Sequence, residues 1–342
     1  MLSLEVFAQR DLDPAVSQAL DRDLIDAASC APHRARLSVC QLAGEVLSLG
    51  RYHLAPAADP RGGISLHRRL GGGRVVPLGA GFAAVALFLP HRSALVGDDS
   101  LALRPEQVLG RCVRALLGAL RRLGIDAFYP GRDRVTVAGR MLGVVSLETD
   151  ARGATAFEAV LAMRDHWTRL AELVASADPD GIVVAELVTP DQVTSLAAHG
   201  VTADIEQLAA AFADALHEQF GLQPTSAPAL VSPRDAPART AAWIAARRRR
   251  VALDRHAVEW GQLGVFDVYL AVRGGQIEDV LLAGDFIADS PSIERLEQRL
   301  RGCRFERGAI AAIVDEVYAD PRSFLLGIGP LANVVDAIAR AT

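Results

Sequence analysis

The residues of this chain best suited to hold an anion are a pair of arginines and a run of glycines. Arg68 and Arg69 are closely followed by Gly71, Gly72 and Gly73. Glycine tolerates a positive φ and lets the backbone approach a ligand, so its N–H groups can turn inward around a negative charge. Arginine adds a planar, charged fork that suits phosphate or carboxylate. The stretch predicts a nucleotide-binding loop; a glycine-rich hairpin turn with two solvated arginines is the alternative.

Two neighbouring elements must position this loop. An apolar run over residues 83–89 follows it and predicts a strand. Residues 131–147 alternate between polar and apolar side chains and contain a tight turn at Ala138 and Gly139, which predicts a β-hairpin. The candidate site therefore has two walls, the glycine-rich loop and the β-hairpin.

Periodicity and helix end signals place the other elements. Expected helices cover residues 14–28, 104–123, 164–176 and 205–220, and expected strands cover residues 36–42, 45–49 and 157–163. The proline-rich residues 223–239 predict a linker or surface loop, followed by a helix from Thr240. That helix carries four arginines at 247–250, which indicate a solvated face, with a patch for an acidic partner or nucleic acid as the alternative.

The remaining third of the chain has a different pattern. Strands at 265–272 and 277–282 flank two glycines, and helices follow at 290–300, 306–317 and 331–341. Two strands followed by several helices are typical of a small α+β module. We therefore predict a main domain over residues 1–240 and an accessory domain over residues 241–342.

Composition excludes several classes of protein. The net charge of −5 argues against general affinity for nucleic acid. No apolar run reaches the roughly 18 residues needed to span a bilayer, and the first residues lack a signal-peptide pattern, so we expect a cytoplasmic protein without a membrane partner. The scattered cysteines suggest buried free thiols rather than zinc or disulfides, and they are Cys30, Cys40, Cys112 and Cys303. The chain contains no lysine, so all 36 basic residues are arginine.

The first stretch resembles a motif of the lipoate–protein ligase A family, whose main domain is related to biotin protein ligases. That motif has two arginines, a variable residue, Ser or Thr, a glycine run and Ala-Val, followed by an aromatic residue and His-Asp. Several positions match, namely Arg68, Arg69, Gly72 and Gly73, with Val75 and Val76 close to Ala-Val. Gly71 replaces Ser or Thr, and Arg74 stands at the third glycine.

The second stretch resembles the other family motif, Gly-Arg-Asn-Asp followed by a turn and Gly-Arg/Lys-Lys. Gly131 fits, Asp133 stands where Asn is usual, and Gly139 and Arg140 fit the turn. Met141 falls on the lysine that family members use to hold the carboxylate and the α-phosphate. Residues 256–259, 275–280 and 284–286 further resemble the accessory domain of these ligases, so the resemblance covers nearly the whole chain.

The resemblance implies an α/β (α+β) fold, with a mixed sheet flanked by helices and a small C-terminal α+β domain. It also implies an activity: ATP and Mg²⁺ activate lipoate or octanoate, and the acyl group passes to a lysine of a lipoyl-domain protein or glycine-cleavage H protein. By that resemblance, Arg69, Gly72, Arg74, Asp133 and Met141 should line one pocket.

The thioether of Met141 cannot supply the positive charge that two approaching anions require, and such a loss costs about a hundredfold to a thousandfold in rate. Arg74 is the better substitute, because Arg140 should point to the opposite face of its strand from Met141. Transfer through a cysteine is a further option, but no cysteine lies in either motif. Two hypotheses remain: a ligase with Arg74 as the substitute charge, favoured slightly, and a catalytically impaired binding protein.

Overall fold

The computed structural model describes residues 2–56, 60–96, 103–178, 181, 186–227, 233–248 and 252–342. The strands of the main domain are, in chain order, β1 (Ser3–Leu12), β2 (Arg34–Leu42), β3 (Glu45–Leu49), β4 (Ser65–Arg68), β5 (Val76–Gly79), β6 (Phe82–Leu89), β7 (Arg134–Val137), β8 (Arg140–Thr149), β9 (Thr155–Ala162) and β10 (Gln223–Ser226). Its helices are α1 (Pro14–Ser29), α2 (Pro105–Arg122), α3 (Leu170–Ala177), α4 (Ile205–Phe220) and α5 (Ala236–Ala245).

Seven of these strands form one mixed sheet, in the order β10-β1-β2-β6-β9-β8-β7. Strand β1 runs parallel to β10 and β2, and the pairs from β2 to β7 are antiparallel. A second sheet has the order β4-β3-β5, and the glycine motif connects β4 to β5. The predicted mixed-sheet fold is confirmed.

Helices α2 and α4 cover one face of the large sheet because their apolar residues recur at helical spacing. Leu116 of α2 and Phe212 of α4 share a core with Leu37 and Leu87 of the sheet. Helix α4 begins where Asp204 accepts a hydrogen bond from the Gln207 amide, a standard N-cap. The opposite face of the sheet is left to α1 and the small sheet, which hold the candidate site.

The C-terminal domain is an antiparallel sheet backed by helices. Its elements are β11 (Arg255–Trp260), β12 (Val265–Arg273), β13 (Gln276–Gly284), β14 (Ile287–Ala288), α6 (Ser290–Leu300), α7 (Arg307–Tyr318), β15 (Leu325–Leu326) and α8 (Leu331–Arg340). Phe266 and Leu282 of the sheet pack against Ile293, Val314 and Ile338 of the three helices. The predicted small α+β domain is confirmed.

Several local predictions were wrong. Residues 3–12, to which the sequence assigned no element, form β1, and the first residues of the predicted linker form β10 beside it. Helix α5 begins at Ala236 and ends before the arginine run, of which 249 and 250 lie outside the described residues. Cys30 is exposed rather than buried, because it follows the last turn of α1.

Helix α5 crosses the proposed domain boundary at residue 240 and contacts α1 and β4 of the main domain. Among the described residues, no helix is both long and apolar enough to cross a bilayer.

Candidate functional site

Residues 69–75, here called the glycine loop, leave β4 beside a buried arginine. Arg68 is 1% exposed, and its guanidinium donates to main-chain carbonyls of Gly50, Arg51, His53 and Ile244. Burial, reinforced by nearby Arg247 and Arg51, lowers the pKa of Arg68 to about 9. Arg68 therefore holds the chain together around the loop rather than facing a ligand.

Arg69 is also directed inward. Its guanidinium donates to the Ser48 hydroxyl at 3.0 Å and to the Arg74 carbonyl at 2.6 Å, with a longer contact of 3.4 Å to the Gly72 carbonyl. Burial lowers the pKa of Arg69, while the Glu158 carboxylate opposes that shift. Arg69 thus closes the glycine loop onto itself and onto β3.

The inward N–H groups of the glycine loop already hold an anion. The Leu70 amide donates to Glu158 Oε1 at 3.1 Å and the Gly71 amide donates to Glu158 Oε2 at 2.6 Å. Glu158 lies on β9 and is buried; burial raises the pKa of Glu158, and the Arg69 charge partly opposes that rise. The anion-binding geometry predicted for the loop is present, but a side chain of the protein occupies it.

Arg74 is enclosed by carboxylates. It forms a two-point contact with Asp133, Nε to Oδ2 at 2.5 Å and Nη2 to Oδ1 at 3.0 Å, and a third bond to Glu186. Nη2 also donates to the Leu263 carbonyl of the C-terminal domain. Burial lowers the pKa of Arg74, but the carboxylates of Asp133 and Glu186 outweigh it and raise that pKa overall. The positive charge of Arg74 is therefore paired with carboxylates inside the protein.

The C-terminal domain lies directly on the loop. The Gly73 amide donates to the Phe286 carbonyl at 2.9 Å, and a Cβ added to Gly72 would overlap that same carbonyl oxygen. Tyr52 stacks on the Phe286 ring at 4.4 Å and donates to the Ala288 carbonyl. Only glycine permits this approach, so the loop sequence also serves contact between the domains.

The predicted hairpin turn is confirmed. Ala138 and Gly139 have φ values of 48° and 79°, as expected of a two-residue hairpin turn. Arg140 begins β8 and is partly exposed, whereas Met141 is 3% exposed. Met141 lies in an apolar cluster with Val76 and Trp167, so its environment is dry and uncharged.

A cavity of about 380 Å³ lies between the two domains, and Leu263, whose carbonyl accepts from Arg74, is one of its lining residues. We call it the interdomain cavity; its lining includes Tyr129, Gly131, Arg132, Leu263, Ile287 and Leu325. The Arg132 side chain forms no hydrogen bond or ion pair with any other described residue. Sequence reasoning missed Arg132, although it is the second residue of the Gly131 motif and its charge was visible there.

The predicted site residues therefore fall into separate groups. Direct contacts join Arg69 to Gly72 and Arg74, and join Arg74 to Asp133. Gly71 lies against Ser146 and Glu158. Of the remaining predicted residues, Val75 and Val76 are core, Gly131 lines the interdomain cavity, and Gly139 and Arg140 lie at the β7–β8 turn.

The thiols add no nucleophile to the site. Cys112 is buried on α2 and Cys40 is buried in strand β2 of the large sheet, and burial raises the pKa of both to about 12. A thiol must ionise to attack, so neither is activated.

Known proteins resemble this chain both in the C-terminal domain and over the whole fold. A family model described as bacterial lipoate protein ligase C-terminus matches residues 255–322. The crystal structure of P. falciparum LipL1 in complex with lipoate has a TM-score of 0.70 at 10% identity, covering 99% of this chain and 100% of that one. The chain has the lipoate–protein ligase fold. This confirms the resemblance predicted from the two motifs and the tail. No curated protein matches the sequence.

Two further solved structures share this ligase fold. A lipoate-protein ligase A bound with ATP has a TM-score of 0.53 at 14% identity, covering 71% of this chain and 94% of that one. A bipartite lipoate protein ligase from Thermoplasma acidophilum, described with its E2 lipoyl domain, has a TM-score of 0.54 at 14% identity, covering 73% and 99%. At these identities the likeness concerns the fold, and the chemistry must be argued from the residues of this chain.

Proposed function

We propose that this protein is a lipoate–protein ligase-like binding protein that holds lipoate or octanoate, together with ATP, between its two domains without joining them. The observation that carries the proposal is the pairing of the loop arginines. Arg68 and Arg69 donate to main-chain carbonyls, and Arg74 binds Asp133 and Glu186. Of the nitrogens in these three guanidinium groups, only the Nε atoms of Arg68 and Arg69 lack a partner among the described residues, and both are buried.

Adenylation brings a carboxylate against an α-phosphate, and the two negative charges need a positive charge between them. At the position of the family lysine this chain has Met141, inside an apolar cluster. The substitute that the sequence suggested, Arg74, is neutralised by two carboxylates. Losing one such contact costs about two to three powers of ten in rate, so binding without turnover is the function this arrangement supports.

The interdomain cavity is the proposed ligand site. Its volume of about 380 Å³ lies within the range of small-molecule pockets, about 300–1,000 Å³. Leu263, Ile287 and Leu325 supply an apolar wall suited to an acyl chain, and Arg132 supplies a charge for a carboxylate or phosphate. Tyr129 adds an aromatic surface on which a nucleotide base can stack.

Asp133, the carboxylate of the second motif, is not free to hold the Mg²⁺ that the resemblance implies, because both of its oxygens accept hydrogen bonds from Arg74. A magnesium ion beside the phosphates needs a free carboxylate oxygen. Among the residues that line the interdomain cavity, Glu106 is the carboxylate that would supply it. We derive no step through a metal ion.

The proposed partner is a protein carrying a lipoyl domain, such as an E2 subunit or the glycine-cleavage H protein. A structural neighbour is described with its E2 lipoyl domain, which supports this class of partner. A protein that holds the acyl group without activating it would bind the lipoylated form of such a domain.

A second function is favoured by one specific observation, the unpaired Arg132. Its guanidinium lines the interdomain cavity beside Gly131. If the carboxylate and phosphate meet there, Arg132 supplies the charge that Met141 cannot, and the protein is an active lipoate–protein ligase.

ATP–pyrophosphate exchange with lipoate, measured beside equilibrium binding of each ligand, separates the two functions. We expect wild type to bind lipoate and ATP but to show no lipoate-dependent exchange. Arg132→Ala should weaken binding about tenfold, whereas Arg121→Ala, an unpaired arginine on the surface of α2, should leave it unchanged. Lipoate-dependent exchange that disappears in Arg132→Ala would instead establish the ligase. Absence of binding to both ligands would reject both functions.

A further inference from the structure

A second cavity between the two domains lies on the side where β6 ends. We call it the arginine cavity; it measures about 510 Å³, and its lining includes four arginines, Arg92, Arg152, Arg295 and Arg322. Arg92 and Arg152 belong to the main domain, after β6 and in the β8–β9 turn. Arg295 on α6 and Arg322 before β15 belong to the C-terminal domain. The cavity shares no lining residue with the interdomain cavity, and none of its arginines belongs to either ligase motif.

The loop between α7 and β15 brings three of these arginines together. Arg322 holds Asp320 by a two-point contact, Nε to Oδ1 at 3.1 Å and Nη2 to Oδ2 at 2.9 Å. Arg295 Nη1 lies 3.7 Å from the same Oδ2 atom of Asp320. From the main domain, Arg92 Nη2 donates to the Arg322 carbonyl at 2.6 Å. Guanidinium groups of both domains therefore gather around one loop at the cavity.

The aspartates at the cavity already have donors within the protein. Asp289 accepts from two main-chain amides of the C-terminal domain, and Asp150 accepts from two amides of its own turn. Both oxygens of Asp320 accept from Arg322, and these bonds lower the pKa of Asp320 to about 2. Five of the six carboxylate oxygens of these aspartates therefore accept a hydrogen bond.

The arginines, by contrast, have unused donors. Arg92 donates to two main-chain carbonyls and forms no ion pair with another described residue. Arg295 donates to the Ser323 hydroxyl at 3.5 Å. Arg152 donates to the Ser29 hydroxyl at 3.1 Å. A guanidinium has five N–H donors, so the described residues use fewer than half of the donors on each of these arginines. The side chains of Arg152 and Arg295 are 61% and 42% exposed, so a ligand in the cavity can reach them.

We propose that the arginine cavity binds a phosphorylated small molecule, whose phosphate accepts hydrogen bonds from Arg92, Arg295 and Arg322. A phosphate monoester is an acceptor-rich anion, and the planar fork of arginine suits its oxygens. The volume of about 510 Å³ lies within the range of small-molecule pockets, about 300–1,000 Å³, and exceeds what a phosphate alone needs. Pro291 and Pro321 add apolar lining for the organic part. The site goes beyond the proposed function, which assigns lipoate and ATP to the interdomain cavity.

The charges at the cavity favour an anion over a cation. Burial lowers the pKa of Arg92, although Asp289 and Asp320 oppose that shift. A bound anion would oppose it further, because an opposite charge favours the charged form of a guanidinium. A cation would instead meet four arginines. Within the described residues, no three His, Cys, Asp or Glu side chains are placed to hold a metal ion.

Inorganic phosphate and phenyl phosphate are the probes, and titration calorimetry with ³¹P NMR gives the readouts at constant ionic strength. We expect saturable binding of inorganic phosphate with a millimolar Kd, and tighter binding of phenyl phosphate, whose ring reaches the apolar lining. Phenol, which lacks the phosphate, should not bind. Because Arg132 of the interdomain cavity could also attract phosphate, both probes are measured in Arg132→Ala as well, where their binding to the arginine cavity should persist.

Variants identify the residues. Arg295→Ala should weaken phosphate binding at least about tenfold, and Arg295→Lys should lose less because it keeps the charge. Arg299→Ala, exposed on the same helix and paired with Glu316, should leave binding unchanged. If Arg295→Ala does not fold, Arg152→Ala tests the cavity from the main domain with a smaller loss.

Three results would overturn the proposal: unchanged phosphate binding in a folded Arg295→Ala, phosphate binding that disappears in Arg132→Ala, and phenyl phosphate binding no tighter than inorganic phosphate. Lipoate binding should be the same in Arg295→Ala as in wild type. A failure of this proposal therefore leaves the proposed function standing, and a failure of lipoate binding leaves the arginine cavity to its own test.

Discussion

The glycine loop and the interdomain cavity differ in how their charges are paired. In the loop, the Arg74 guanidinium and the inward amides of Leu70 and Gly71 are bound by acceptors within the protein. In the interdomain cavity, the Arg132 guanidinium has no partner among the described residues. The glycine loop is thus chemically closed, and the interdomain cavity is open to a ligand.

This difference shows that a motif can keep its backbone shape while its groups are not free to bind a ligand. A glycine run still gives the backbone the shape that holds an anion, and Glu158 occupies that shape. Arg74, which the resemblance aligns with a glycine of the family, supplies a positive charge, but that charge is paired with Asp133 and Glu186. Whether a group can bind a ligand depends on its partners, which lie far away along the chain.

The strongest test of the closed loop is Met141→Lys, which places a lysine where the resemblance to the ligase family expects one. Because Met141 lies in a dry apolar cluster, we expect a loss of about 4 kcal/mol in unfolding free energy, equivalent to lowering a buried lysine pKa by about three units. No adenylation should appear. Met141→Leu, measured by the same urea unfolding, should cost less than about 1.5 kcal/mol. A stable Met141→Lys protein that exchanges pyrophosphate would show that the site is intact and open.

Arg74→Ala tests whether this charge serves the fold. Removing it leaves Asp133 buried without a partner, so we expect a loss of about 3 kcal/mol in unfolding free energy. The control Arg121→Ala should change stability by less than about 0.5 kcal/mol. Unchanged stability with weakened lipoate binding would instead mean that Arg74 contacts a ligand, and the contrast between loop and cavity would fail.

Glu158→Ala empties the anion position of the loop. Two backbone amides then lose their acceptor, and we expect a cost of about 2 kcal/mol. Added formate should return about 2–4 °C of the lost melting temperature, because it fits where the carboxylate was. The same formate should not stabilise Glu172→Ala, whose side chain is exposed. Absence of rescue would mean that the loop has no anion-binding shape of its own.

The effect of Glu148 depends on pH and is smallest at low pH. Its Oε1 accepts from the Ser290 amide, whereas Oε2 is buried without a partner. Burial raises the pKa of Glu148 to about 8, partly opposed by Arg51. The folded protein therefore keeps this proton where the unfolded chain has lost it. Its stabilising contribution is complete below about pH 4.5 and is lost as the pH rises towards about 8.

Melting temperatures of Glu148→Gln check that sign. The variant should melt close to wild type near about pH 5 and above it near about pH 8, because glutamine never loses a proton. Glu278→Gln, which is exposed on β13, should follow wild type throughout. A wild type that gains stability relative to Glu148→Gln as the pH rises would contradict the assignment.

Local signals in the sequence were sufficient for much of the fold. Helix α4 has Asp204 before it and Gly221 after it, and its predicted bounds of 205–220 agree with the structure. The Ala138-Gly139 turn likewise placed the β7–β8 hairpin. Strand β10 was missed because Pro224 indicates a loop, although an edge strand tolerates proline. Pro224 pairs with Leu4 of β1, and no local sequence pattern connects these two residues.

The contacts within the site were less predictable, because they also join residues that lie far apart in the chain. The motif identified Arg74, but its pairing with Asp133 crosses 59 residues and its pairing with Glu186 crosses 112. One signal was available and unused: Glu158 is the single charged residue in the apolar strand β9. An acid at such a position must be paired or protonated, which marks it as a group with a specific task.

The contact between the Arg74 guanidinium and the Leu263 carbonyl joins residues 189 positions apart. At a synthesis rate of about 5–20 residues per second, the ribosome delivers the loop about 10–40 seconds before it delivers that carbonyl. During translation Gly73 and Arg74 of the main domain are therefore exposed to water until the C-terminal domain is synthesised and covers them. The interdomain cavity has no second wall until translation has passed Ile287 and Leu325, so the cavity forms only after both domains have been synthesised.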